Sequence, residues 1–190
     1  TAEAEQPARA KLANIAGSAE DAELRDAALS ALGQSKRLGK HFLRQLVESE
    51  ASDAVREPAL REHVRLSGPE DAEWYRFLWN LEQKQRKDKD GKVLGPELNA
   101  IREVAFAGLQ TLLSEDELID AMKRELDPKI RRAALTTMQK RSMPKCAEMA
   151  AWMLNRVDFP GVDRAEAARI LIDRDGAKAV PTFLELAKKE

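Results

Sequence analysis

The sequence predicts an all-α protein built as an array of helix pairs, and three observations carry that expectation. First, an arginine recurs five times with alanine at +3 and a residue that a helix can bury at +7. The sets are Arg25/Ala28/Leu32, Arg56/Ala59/His63, Arg102/Ala105/Leu109, Arg131/Ala134/Met138 and Arg164/Ala167/Leu171. These arginines lie 31, 46, 29 and 33 residues apart, the period of a two-helix repeat. Second, apolar residues return at helical spacing throughout, and no stretch shows the period-two alternation of a half-buried strand. Third, charged residues make up 34% of the chain and aromatic residues 5%, a helix-rich profile.

Glycine and proline mark the boundaries. Gly17, Gly33, Gly39, Gly68, Gly161 and Gly176 fall between periodic stretches, while Pro7, Pro69, Pro96, Pro128 and Pro144 sit where helices begin. Pro58 fits the first turn of its helix. The first helices of successive pairs are then expected at roughly 5–16, 38–49, 71–85, 115–126 and 144–157, with a terminal helix at roughly 177–189. The second helices are expected at roughly 21–33, 53–66, 97–113, 128–140 and 163–173. Short connections force consecutive helices to be antiparallel neighbours. Gly108 alone lies deep inside a helical pattern, where the missing side chain lets a neighbouring helix approach closely.

Several segments resemble HEAT repeats. Residues Asp21-Ala22-Glu23-Leu24-Arg25-Asp26-Ala27-Ala28-Leu29-Ser30-Ala31-Leu32-Gly33 look like the second helix of such a repeat, and Asp127-Pro128-Lys129-Ile130-Arg131-Arg132-Ala133-Ala134-Leu135 does so as closely. Ala179-Val180-Pro181-Thr182-Phe183-Leu184-Glu185-Leu186 is similar to the family's first helix. The resemblance spans nearly the whole chain except 84–96. It implies a right-handed α-α superhelix (an α-solenoid) of about five helix pairs plus a terminal helix, as one domain. It further implies a ladder between successive repeats, with Asp21, Asp53, Asp127 and Asp163 facing Arg25, Arg56, Arg131 and Arg164. In the fifth set Asp163 replaces the apolar residue that precedes the arginine elsewhere (Leu24, Val55, Ile101 and Ile130), so that helix start is expected to be shifted or less regular.

The 46-residue interval marks an insertion, an expected charged edge loop at about 84–97. Within it Asp88, Asp90, Gly91, Val93 and Glu97 match part of a calcium-loop pattern. Arg86 falls where the first acidic ligand belongs, and Lys87, Lys89 and Lys92 oppose a divalent cation, so a solvated turn is the plainer reading. No other metal ligand set and no cofactor are expected.

Trp74, Phe77, Leu78 and Leu81 share the face expected to be core, whereas Tyr75 and Trp79 point away and become candidate partner contacts. The second helices line the inner, concave surface of a HEAT array. Glu57, Arg61, Arg65, Glu103, Arg132, Thr136, Lys140 and Arg169 lie at exposed positions there, with basic residues in excess. Met138, Met143, Met149 and Met153, with Trp152 and Cys146, are expected to fill core at the junction of the last two pairs.

Function is less legible than fold. Basic and acidic residues balance at 32 and 33, so no global field favours nucleic acid or membrane. No run approaches the roughly 18–20 apolar residues of a membrane span. The histidines are His41 and His63, and no HxxxH, CxxC, GxSxG, GxxxxGK or GxGxxG motif is present. Lone Cys146 fits a reducing compartment, and cytoplasm is the default expectation. The start at Thr1 suits a chain that has lost a leader or belongs to a longer protein. The leading expectation is a non-enzymatic scaffold that binds a protein or peptide through its concave face or the 84–97 segment. The alternative is a nucleic-acid binder using the basic second-helix positions.

Overall fold

The computed structural model describes residues 2–34, 36–49, 52–81, 85–87, 89, 93–96, 99–181 and 183. Ten α-helices account for most of them, so the described residues are all-α apart from one short pair of strands. The helices are α1 (Ala2–Ser18), α2 (Ala22–Gln34), α3 (Lys36–Glu48), α4 (Asp53–Arg65), α5 (Ala72–Trp79), α6 (Ala100–Leu109), α7 (Glu115–Arg124), α8 (Pro128–Lys140), α9 (Cys146–Leu154) and α10 (Gly161–Asp175). Short 3-10 turns occupy Pro69–Asp71 and Gly176–Ala179. No helix among the described residues is long and apolar enough to cross a membrane.

Contacts gather the chain into two compact units, one of Thr1–Glu82 with Asn99–Leu109 and one of Gln83–Leu98 with Gln110–Glu190. In the first, α1 packs on α2, α3 on α4 and α5 on α6, and the second helices continue the contact from α2 to α4 to α6. Its core holds Leu29, Leu32, Leu43, Leu60, Tyr75, Phe106 and Leu109. In the second, α7 packs on α8 and α9 on α10, with α8 also against α10. Leu113, Leu118, Met122, Ile130, Leu135 and Met138 form that core. Burying a side chain of this size stabilises by roughly 1.5–3 kcal/mol.

The repeated sequence pattern has one structural meaning throughout. All five +3 alanines and all five +7 residues are buried, His63 included. The arginines enter near the start of their helices and reach back to a main-chain carbonyl at the end of the preceding one. Arg25 donates to Ala19 O at 3.5 Å, Arg56 to Val47 O at 2.9 Å, and Arg102 to Trp79 O at 2.7 Å. Arg131 donates to Glu125 O at 2.8 Å and Leu126 O at 2.9 Å, and Arg164 to Leu154 O at 3.2 Å. The last carbonyls of a helix lack intrahelical donors and carry the negative end of its dipole, so a guanidinium there satisfies both needs.

The expected aspartate ladder is realised differently at each step. Arg131 Nη2 meets Asp163 Oδ2 at 2.6 Å, and Arg132 Nη1 meets Asp163 Oδ1 at 3.0 Å, a rung between successive pairs. Asp53 pairs within its own helix with Arg56 at 3.4 Å. Asp21 and Asp127 instead cap helices, accepting from Glu23 N and Lys129 N at 2.8 Å each. The fifth helix start is not irregular: Arg164 is the fourth residue of α10, as Arg131 is of α8. Asp163 fills the slot before it at 0% exposure, because the two arginines compensate its charge. Leu24, in the same slot of α2, is exposed.

Four other expectations change. The third pair's first helix ends at Trp79, and its second begins at Ala100. In place of an irregular loop, Gln85–Lys87 (β1) and Val93–Pro96 (β2) pair antiparallel, with Pro96 in the strand. Pro7 lies inside α1, past its first turn, and Gly17, Gly33 and Gly39 lie inside helices. Residues 176–181 and 183 begin the terminal segment as a 3-10 turn followed by helix, with Ala179 buried.

Candidate functional site

The first unit carries an open cleft of about 620 Å³ lined by Lys40, His41, Arg44, His63, Leu66, Glu70 and Asp71. Three elements build it. On α3, Lys40, Arg44 and Glu48 fall at four-residue spacing and therefore share one face. His63 comes from the +7 position of α4. Pro69 opens the 3-10 turn that sets Glu70 and Asp71 opposite α3.

The floor of the cleft is a polar network. Lys40 Nζ is paired with Asp71 and lies 2.9 Å from Glu70 Oε1. Burial works against the Lys40 ammonium, yet the hydrogen bonds to Asp71 and Glu70 outweigh it and its pKa rises. The bond from Lys40 lowers that of Glu70. Behind them, His63 Nδ1 and the Tyr75 hydroxyl share a 2.7 Å hydrogen bond. Burial drives the imidazole from 6.5 down to about 4 and pushes the phenol upward. Both groups thus stay neutral at pH 7. With His63 at 1% exposure and Tyr75 at 0%, they brace the cleft and offer a substrate almost no atom.

A second cavity of about 400 Å³ shares Arg44 and Glu70 with the first and adds Glu48, Glu73, Trp74 and Phe77. The Arg44 guanidinium lies 4.8 Å from the Trp74 ring centroid and donates to Glu48 Oε1 at 2.8 Å. Trp74 in turn packs on His63 at 4.7 Å between centroids. Phe77 is 66% exposed.

That exposure reverses an expectation. Tyr75, expected to point outward, is core, and Phe77, expected to be core, is surface. The neighbouring helices account for it. Gly108 leaves room for the tyrosine: a β-carbon there would lie 3.0 Å from both the Tyr75 ring and Val64. His63 supplies the hydroxyl with its partner. Trp79 is half-buried and packs edge-on against Phe106 at 5.2 Å.

The basic second-helix candidates are engaged with carboxylates. Arg61 pairs with Glu57, and Arg65 with Glu62 at 2.8 Å. Arg132 is bound to Asp163, and Thr136 Oγ1 donates to Glu166 at 3.1 Å. Arg169 reaches Glu166 at 2.6 Å and Asp173 at 2.5 Å, while Lys140 is exposed. The methionine group fills core, with Met138, Met143, Met149, Met153 and Cys146 all buried. Asp88, Asp90 and Glu97 of the partial calcium pattern lie outside the described residues. Among those described, no cluster of histidine, cysteine or carboxylate side chains suits a metal ion.

Sequence reasoning passed over Lys40, Arg44, Glu70, Glu73 and the surface role of Phe77. The signal was available in part, since Pro69-Glu70-Asp71 reads as a helix start that brings two acidic residues together. No family model, no curated protein and no solved structure matches this chain.

Proposed function

We propose that this chain is a HEAT-like α-solenoid module, of five helix pairs and a terminal helix, that binds a protein or peptide and performs no chemistry of its own. Support for the architecture comes from the helix pairing, from the burial of every +3 and +7 residue, and from the five arginines clasping the preceding helix. The observation that carries the binding reading is Phe77. A large aromatic side chain stands 66% exposed beside an open cleft in which Arg44, Glu48 and Glu70 are already paired internally. Exposed aromatics beside a preformed concavity are characteristic hot spots for protein partners.

A nucleic-acid role has weaker support, because Arg61, Arg65, Arg132 and Arg169 already face carboxylates and would have to surrender them to a phosphate. The test is site-directed photo-crosslinking in cells of the source organism, with p-benzoylphenylalanine at Phe77 or, as control, at Lys140. A single discrete protein adduct from the Phe77 position is expected. Adducts equally abundant from both positions, or none from Phe77, would overturn the assignment of this face.

A further inference from the structure

The pocket beside Phe77 has a charge and a shape that select its occupant. Its described lining carries three carboxylates, Glu48, Glu70 and Glu73, against one cation, Arg44. Arg44 is engaged by Glu48, and Glu70 by Lys40. Glu73 makes no ion pair among the described residues, and it stands one helical turn before Phe77. The surplus is therefore negative and sits at the foot of an exposed aromatic ring.

The neighbouring ring shows what such a setting accepts. Trp74 holds the Arg44 guanidinium over its face at 4.8 Å from the centroid, with the Glu48 carboxylate closing the pair from the side. Phe77, on the same face of α5 one turn later, presents its ring to solvent with Glu73 beside it. The arrangement of ring plus carboxylate is repeated, and among the described residues no cation lies over this ring. A cation over an aromatic face with a carboxylate at its edge gains both from the ring quadrupole and from charge pairing.

We propose that this pocket receives an arginine or lysine side chain from a peptide segment of the partner, its charged head lying over Phe77 and paired with Glu73. The proposal rests on the protein-binding reading above and specifies the partner's chemistry. An acidic or phosphorylated segment would meet repulsion from Glu70 and Glu73 instead, and a purely apolar one would leave Glu73 unmatched.

The test follows the indole N–H resonances of Trp74, Trp79 and Trp152 in the intact chain. They are recorded during titration with acetyl-Gly-Arg-Gly-Arg-Gly-amide and with counterparts carrying citrulline or glutamate in place of arginine. The arginine peptide is expected to move the Trp74 signal in a saturable way while leaving Trp152 in place. The citrulline and glutamate peptides should bind at least several-fold more weakly. Phe77→Ala and Glu73→Gln should each weaken the arginine peptide by about two- to five-fold, the worth of one exposed cation–π or ion-pair contact. Lys140→Ala should change nothing. A glutamate peptide that matches the arginine peptide, an affinity unchanged in both variants, or no saturable Trp74 shift up to 10 mM peptide would overturn the proposal. If the Phe77 crosslink persists while the peptides fail, the protein-binding reading stands and only the cationic occupant is wrong. If both fail, the face is not a docking surface.

Discussion

Lowering the pH should weaken the first unit through one residue, His63. The imidazole is buried at 1% exposure and shares a hydrogen bond with the Tyr75 hydroxyl, and its pKa falls from 6.5 to about 4. Burial disfavours the cation, as do Lys40 and Arg44, while Asp71 and Glu48 oppose them. Above pH 6.5 the side chain is neutral in both the folded and unfolded states and contributes no pH dependence. Between 6.5 and about 4 the unfolded chain takes up a proton that the native state refuses, so stability falls. At 1.36 kcal/mol per pH unit, the loss reaches about 2 kcal/mol by pH 5 and about 3 kcal/mol once the native imidazole titrates. Urea unfolding at pH 7.5, 6.0 and 5.0 would measure it. Trp74, in ring contact with His63, serves as sole fluorophore when Trp79 and Trp152 are replaced by phenylalanine. His63→Asn keeps an acceptor for the tyrosine hydroxyl and removes the titration, so its stability should be flat across that window, where most carboxylates remain ionised. Equal slopes in the two proteins would refute the argument.

Other expectations follow from the packing. Asp163→Leu leaves the buried Arg131 guanidinium without its counter-charge and should cost roughly 3–5 kcal/mol in urea unfolding of the second unit, whereas pairing it with Arg131→Met should recover only part of the loss, because Glu125 O and Leu126 O then lose their donor. Gly108→Ala gains up to about 1 kcal/mol in helix propensity but drives a β-carbon against the Tyr75 ring, so a net loss of about 1 kcal/mol is expected in thermal melts. Ser114→Ala breaks the reciprocal Ser114–Glu117 cap at the start of α7 and should cost about 1 kcal/mol by the same measurement. Arg102→Met withdraws a buried donor from Trp79 O and should destabilise by roughly 1–3 kcal/mol, with Arg102→Lys recovering only part of it.

The helices were legible where apolar spacing at the helical period met punctuation that physics enforces. Pro128 opens α8, and the arginines mark four residues into the second helices α2, α4, α8 and α10. The pair-to-pair contacts were legible at Asp163, although its full burial was not, since one acidic residue in an apolar slot gives no hint that two guanidiniums converge on it. The site was mostly illegible. Which of Tyr75 and Phe77 faces inward depends on a glycine thirty-three positions after the tyrosine and on a histidine twelve positions before it, neither of which periodicity within α5 can register. The strand pair of 85–87 with 93–96 was hidden for a similar reason. Its strands are too short to show an alternation.

The clasp between each repeated arginine and the helix before it has a consequence for how this chain can vary. The acceptor is a main-chain oxygen, which every residue supplies. The clasped positions are accordingly Ala19, Val47, Trp79, Glu125, Leu126 and Leu154, side chains that range from alanine to tryptophan and include a glutamate. An ion pair would bind two positions into joint change, so that neither drifts alone. A contact with the backbone constrains the arginine and asks nothing of the side chain at the acceptor, which accords with a signature visible in the second helices and not in the first.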